Sequence, residues 1–167
     1  MKRIAALLIP LLMLIPVMSG ATSSAPPAVI QIQVFSDPLM GARTYHVLRE
    51  RTAAFGASIE FPGGFLSKGD VYFGFLQPGN MNAHTWTLDS GTVRVVKGMH
   101  PLQQDIDLTT PPVFYTSAIA GRDLEHAFAG TDPAGMYSMF VLVVIANSDP
   151  GDSRNWYAVS TLPLFVE

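Results

Sequence analysis

The sequence predicts an all-β domain, an immunoglobulin-like antiparallel β-sandwich of roughly eight to ten short strands, and three observations carry that prediction. Runs in which apolar and polar residues alternate recur between clusters of Gly, Pro, Asn and Asp. No long amphipathic helical pattern stands between them. The segment from Asp132 to Glu167 reads as a turn, a strand apolar on both faces, a polar loop and a returning pair of short strands, the closing order of a two-sheet domain. A small β-barrel is the competing architecture.

The elements follow in chain order. Lys2 and Arg3 precede an apolar stretch from Ile4 to Met18, and Ser19-Gly20-Ala21 offers small residues before Thr22, so residues 1–21 are expected to form a secretory signal peptide. Pro10 and Pro16 interrupt that stretch, and a permanent span would need roughly 20 continuous apolar residues, so no transmembrane span is expected after cleavage. The expected location is therefore secreted or periplasmic. Residues 22–28, rich in Ser, Ala and Pro, read as a flexible leader, and 29–167 as a single domain.

Within that domain Val29 to Phe35 reads as a first strand, and Tyr45 to Arg51 leans to strand. Thr52 to Phe61 carries the clearest period of two, with Ala53, Phe55, Ala57, Ile59 and Phe61 on one face. Asp70 to Gln77 follows, then His84 to Leu88 and Thr92 to Lys97 joined by the tight-turn sequence Asp89-Ser90-Gly91. Gly98 to Pro112 shows no period and reads as a loop, Val113 to Ile119 as a strand, and Arg122 to Gly130 as either a helical turn or a strand. Met139 to Ala146 is apolar on both faces, as a central strand is, and Trp156 to Ser160 and Leu162 to Val166 close the chain around Pro163.

Composition narrows the function. The chain has no cysteine, so neither a disulfide nor an acylated cysteine anchor is available, and burial alone must hold the fold. Cleavage after Ala21 removes Lys2 and Arg3, so the 10 basic residues become 8 against 13 acidic ones and the net charge moves from −3 to −5. A mildly acidic domain without a basic stripe is not built for nucleic acid. No Gly-x-Ser-x-Gly elbow, His-Glu-x-x-His helix, phosphate-binding Gly loop or nucleophilic Cys is present, and the acid pairs Asp105 with Asp107 and Asp123 with Glu125 read as solvated turns. The chain is not expected to be an enzyme.

From about Ala57 onward the sequence carries Asp70-Val71-Tyr72-Phe73-Gly74-Phe75-Leu76-Gln77-Pro78-Gly79, then Trp86, Pro133-x-Gly135-x-Tyr137, Asn147-Ser148-Asp149-Pro150-Gly151 and Asn155-Trp156. In this order it resembles a β-sandwich module that recurs in secreted and surface proteins of bacteria, over about two thirds of the chain. The module's second turn tends to be Pro-Asp-Gly, where this chain has Pro78-Gly79-Asn80. The resemblance implies an adhesive, scaffolding or accessory role without catalysis.

Three groups of side chains are candidates for binding. Asn147, Asp149, Asp152 and Asn155 place four oxygen-bearing side chains in one loop, the donor type calcium takes, although turn residues have the same composition. Met81, His84, Met99 and His100 offer the thioether and imidazole donors that suit copper. Trp86, Trp156 and Tyr157 could present rings to a ligand such as a glycan, or else lie in the core. The expected function is a secreted binding or structural module with a protein or glycan partner in the envelope or extracellular space. The alternative is a periplasmic copper carrier.

Overall fold

The computed structural model describes residues 28–35, 45–61, 67–79, 82–109, 114–115 and 124–167. The expected signal peptide, the leader as far as Pro27 and the candidate ligand Met81 lie outside the described residues. Eleven strands run through those residues: β1 (Val29–Phe35), β2 (Tyr45–Val47), β3 (Thr52–Glu60), β4 (Lys68–Leu76), β5 (Ala83–Asp89), β6 (Thr92–Lys97), β7 (Gln103–Asp107), β8 (Phe114–Tyr115), β9 (Leu124–Ala127), β10 (Gly135–Ile145) and β11 (Trp156–Val166). Among the described residues the only helical piece is one 3-10 turn, Ser153–Asn155. The fold is all-β, as the alternation predicts.

The strands form two sheets. In the first, β3 pairs with β1 on one edge and with β8 and β9 on the other. The second runs in the order β2, β11, β10, β4, β5, β6, with β7 also on β4. Every pairing is antiparallel except that of β2 with β11, a parallel contact over Leu164–Val166. One edge of β4 is covered by β10 from Gly69 to Leu76, whereas the other is divided between β7 at Lys68–Val71 and β5 at Gly74–Leu76. Because β5 stays on β4 for three residues only, the β5–β6 hairpin departs from the plane and the second sheet curls into a half-barrel around the core.

The period of two sorts the side chains. Ala53, Phe55, Ala57 and Ile59 of β3 face Val71, Phe73 and Phe75 of β4 and Tyr137, Met139, Val141 and Val143 of β10 across one core. β10 is apolar on its other face too, where Phe140, Leu142 and Val144 gather with Tyr72 and with the half-buried Leu76 and Met99. That second cluster explains why the segment from Met139 to Ala146 carries no polar alternation. Gly74 is required where β5 meets β4, since a Cβ there would lie 2.2 Å from the His84 carbonyl oxygen. The hairpin turn between β5 and β6 is left-handed at both central residues, Ser90 (φ 50°) and Gly91 (φ 81°), the form that matches the twist of the flanking strands. Tyr137, fully buried, donates its hydroxyl to the Pro133 carbonyl at 2.8 Å and pins the corner four residues upstream. Burial, with a smaller push from Asp132, raises the Tyr137 hydroxyl to about 12, so it stays a donor at any ordinary pH.

Three expectations need adjustment, and one alternative left open is decided. Gln103–Asp107, within the segment read as a loop, is a strand, and its polar character reflects an edge position on β4. Arg122 to Gly130 contains strand β9 rather than a helical turn. Tyr45–Val47 alone is strand, after which Arg49 and Glu50 turn the chain. The two closing segments are one continuous strand, β11, which passes through Pro163 just before the parallel pairing with β2 begins.

Candidate functional site

The polar turn between β10 and β11 carries the four oxygen-bearing residues and holds Trp156 against it through the Pro150 carbonyl. Its base is Asp70, 1% exposed on the outer face of β4. One carboxylate oxygen of Asp70 accepts the Asn147 N–H at 2.9 Å and the other accepts the Asp105 N–H at 2.8 Å. Both donors belong to residues in the left-handed region, Asn147 at φ 61° and Asp105 at φ 55°. A single buried carboxylate therefore fastens an irregular residue of β7 and the second residue of the β10–β11 turn to β4.

The rest of the turn is knitted to itself. Asp149 accepts the Gly151 N–H on its side chain at 2.8 Å, and its carbonyl accepts the Asn155 side-chain amide at 3.0 Å. Asp152 caps the 3-10 turn by accepting the Arg154 N–H at 3.0 Å, and the Arg154 guanidinium grips both its oxygens at 2.6–3.0 Å. The Arg154 side chain, then its backbone N–H, holds the Asp152 carboxyl below the usual range. The four residues expected for calcium are thus brought together, but much of their donor capacity is spent on turn hydrogen bonds. Calcium takes six to eight oxygens at 2.3–2.6 Å, and among the described residues no three His, Asp or Glu side chains converge on a common point. Thermal unfolding at millimolar calcium is expected to leave the midpoint within about 1 °C of its calcium-free value, since a ligand stabilises only in proportion to its binding of the folded state.

The copper set is divided by the sheet. His84 faces the core and stacks on Phe75, with centroids 5.4 Å apart and planes 9° apart. Met99 packs on the opposite face against the Tyr72 and Phe140 cluster. His100 is exposed in the segment that folds back over β5, held there by its own N–H and the Gly98 carbonyl, both bonded to the buried Thr85 hydroxyl. The structure does not bring His84, Met99 and His100 to one point. Of the acid pairs, Asp105 is bound by Lys68 at 2.8 Å, Asp107 accepts the Thr109 N–H, and Glu125 is exposed on β9, while Asp123 lies outside the described residues.

Of the three aromatic candidates, Trp86 is 1% exposed and stacks on Phe73 at 4.8 Å, so it belongs to the core and offers no open ring face. Trp156 and Tyr157 straddle a bulge. Val144 pairs with Trp156 but Val143 pairs with Ala158, which leaves Tyr157 as the additional residue. Tyr157 and Ala158 consequently both turn inward, where the Tyr157 hydroxyl meets the Ser67 hydroxyl at 2.5 Å. Trp156 and Val159 are placed on the outer face beside Val144 and Leu142, at 39% and 51% exposure. The Trp156 indole N–H donates to the Pro150 carbonyl at 2.8 Å, which fixes the ring.

Sequence reasoning missed Asp70 and Val159. An acid on the same alternating face as Tyr72 was the available signal for the first; the second depends on the parity change at Tyr157, which no periodicity displays. No protein-family model matches the sequence, and no curated protein matches it either.

Proposed function

We propose that the protein is an exported, non-enzymatic β-sandwich module that binds another protein in the bacterial envelope or extracellular space. The observation that supports this best is the pair Trp156 and Val159, exposed at the margin of an apolar outer face with the indole already fixed by Pro150. A ring that needs no ordering loses little entropy on association, and Trp with Arg are the side chains that carry most interface energy. Arg154, held by Asp152 two residues from Trp156, supplies the second of these. A protein partner suits the surface better than a glycan, because sugar recognition requires free hydrogen-bonding groups beside the ring. Here the nearby Asp152 carboxylate and Asn155 amide are already engaged within the turn.

Trp156→Ala is expected to weaken capture of the partner recovered from the native envelope by about 30-fold, or about 2 kcal/mol. The unfolding midpoint should barely move, because the ring lies outside the core. Undiminished capture by this variant would remove the assignment. Stoichiometric copper retained by protein purified from an exporting host would replace it with the carrier reading.

A further inference from the structure

The two sheets meet at one end of the core through a pair of histidines. His84 on β5 of the second sheet stacks on Phe75, and His126 on β9 of the first sheet lies against the same ring, with centroids 5.2 Å apart and planes 36° apart. His126 is also edge-on to Phe128 at 4.8 Å and to Trp86 at 6.2 Å. The alternation of β9 causes this: Leu124 and His126 pair with Phe55 and Ala53 and share their inward face, while Glu125 takes the outward one. The Nδ1 atom of His84 is buried without a hydrogen-bond partner among the described residues. Phe75 thus carries one imidazole from each sheet, in a seam that is otherwise aromatic.

The charged and titratable groups around the seam do little to favour a proton there. Lys97 lies directly opposite His84 on β6, and Tyr137 of β10 presents its ring to Phe75 and Phe128. At the rim, Arg49 donates to the carbonyls of Gly130 and Asp132, and the Glu50 carboxylate lies against Gly130. Asp132 is the acid that favours protonation of His126, and its carboxylate already accepts the Ala129 N–H at 2.7 Å. Burial lowers the proton affinity of His126, Asp132 restores part of it and His84 lowers it again, for a net fall below the ordinary histidine value.

We propose that His126, packed with His84 on the two sides of Phe75, is an acid-operated latch between the two sheets: neutral, it lets β9 close on the β5–β6 hairpin over Phe75; protonated, it places a charge in an aromatic seam and releases β9. The direction follows from linkage. Above about pH 6.5, the ordinary histidine value, both the closed and the opened forms are neutral and the latch holds. As the pH falls below that value the opened form takes up protons first, and closure weakens until the lower proton affinity of the closed form is passed.

The test uses the full chain and two readouts. In an NMR titration of the imidazole protons, His126 is expected to titrate below about pH 6.5, and to move up toward that value in His84→Phe. Amide exchange corrected for intrinsic rates is expected to accelerate by at least about threefold from pH 7.5 to pH 5 at Leu124–Ala127 and Ala83–Thr85, relative to Val141–Val143 in the centre of β10. His126 titrating at or above its ordinary value overturns the proposal. So does acceleration spread equally over β10, which would mark global rather than local opening. Both readouts are taken first on the unaltered protein, so the decision stands even if His84→Phe fails to fold.

Discussion

Trp86→Ala is expected to lower the free energy of unfolding by about 3–5 kcal/mol, the range for removing a large aromatic side chain from a packed core. Trp86 is the largest of the fully buried side chains and lies where three strands of two sheets converge: stacked on Phe73 with planes 26° apart, tilted at 5.2 Å from Phe55 and edge-on to Phe75 at 5.7 Å. It also belongs to the hairpin that leaves β4 after three residues, so its ring is what returns β5 and β6 to the core. A domain of this size has roughly 5–15 kcal/mol in hand, and the variant should be partly unfolded at 37 °C. Trp86→Phe is expected to cost less than about 2 kcal/mol, because a six-membered ring keeps most of the contacts and the indole N–H, which has no acceptor among the described residues, disappears. Urea unfolding followed by near-ultraviolet circular dichroism distinguishes the two. Equal losses in both variants would show that the ring contacts are not what stabilises the hairpin.

The second large effect is at Asp70. Asp70→Asn is expected to cost about 2–4 kcal/mol, since hydrogen bonds to a charged acceptor are worth about 1.5–3 kcal/mol each and the new amide presents a donor to one of two N–H groups. The loss should be local in its consequences. Asp105 and Asn147 hold left-handed backbone that Asp and Asn adopt more readily than most residues but that still needs fixing. Without the carboxylate, the amides of those two residues should exchange faster, and the turn that carries Arg154 and Trp156 should lose its fixed position. A loss below about 0.5 kcal/mol, within the range of an ordinary surface substitution, would mean that water replaces the carboxylate at no cost.

What the sequence disclosed and what it concealed divide along a physical line. Strands β3 and β6 and the Asp89-Ser90-Gly91 turn were legible because each is specified within ten residues, by alternation or by residues that tolerate left-handed backbone. β10 was legible because its second apolar face has the Tyr72 cluster to cover it. β7 was not: Gln103, Asp105 and Asp107 look like a loop, and they are in a strand because β5 covers only Gly74–Leu76 of the β4 edge and leaves Lys68–Val71 for β7, a division made by pairing with a segment distant in sequence. The candidate site shows the same division. The polar turn was readable as a turn, while the exposure of Trp156 depends on one additional residue in β11 and the burial of Trp86 on the curl of a whole sheet. Met99 and His84 offered matching donors by composition, yet His84 stacks on Phe75 in the core while Met99 packs on the opposite face.

The central position of β4 governs when the chain can fold. Its longest partner is β10, joined through pairs such as Asp70 with Val144 and Leu76 with Ser138, so the two must wait for one another along the polypeptide. At synthesis rates of about 5–20 residues per second, the ribosome needs on the order of several seconds to deliver the second after the first. During that interval the nascent chain can form β1 with β3 and the β5–β6 hairpin but cannot seal the core. A polypeptide ordered in this way stays open until its last fifth arrives, and then closes by contacts between remote segments, the kind of topology that folds on the millisecond-to-second scale.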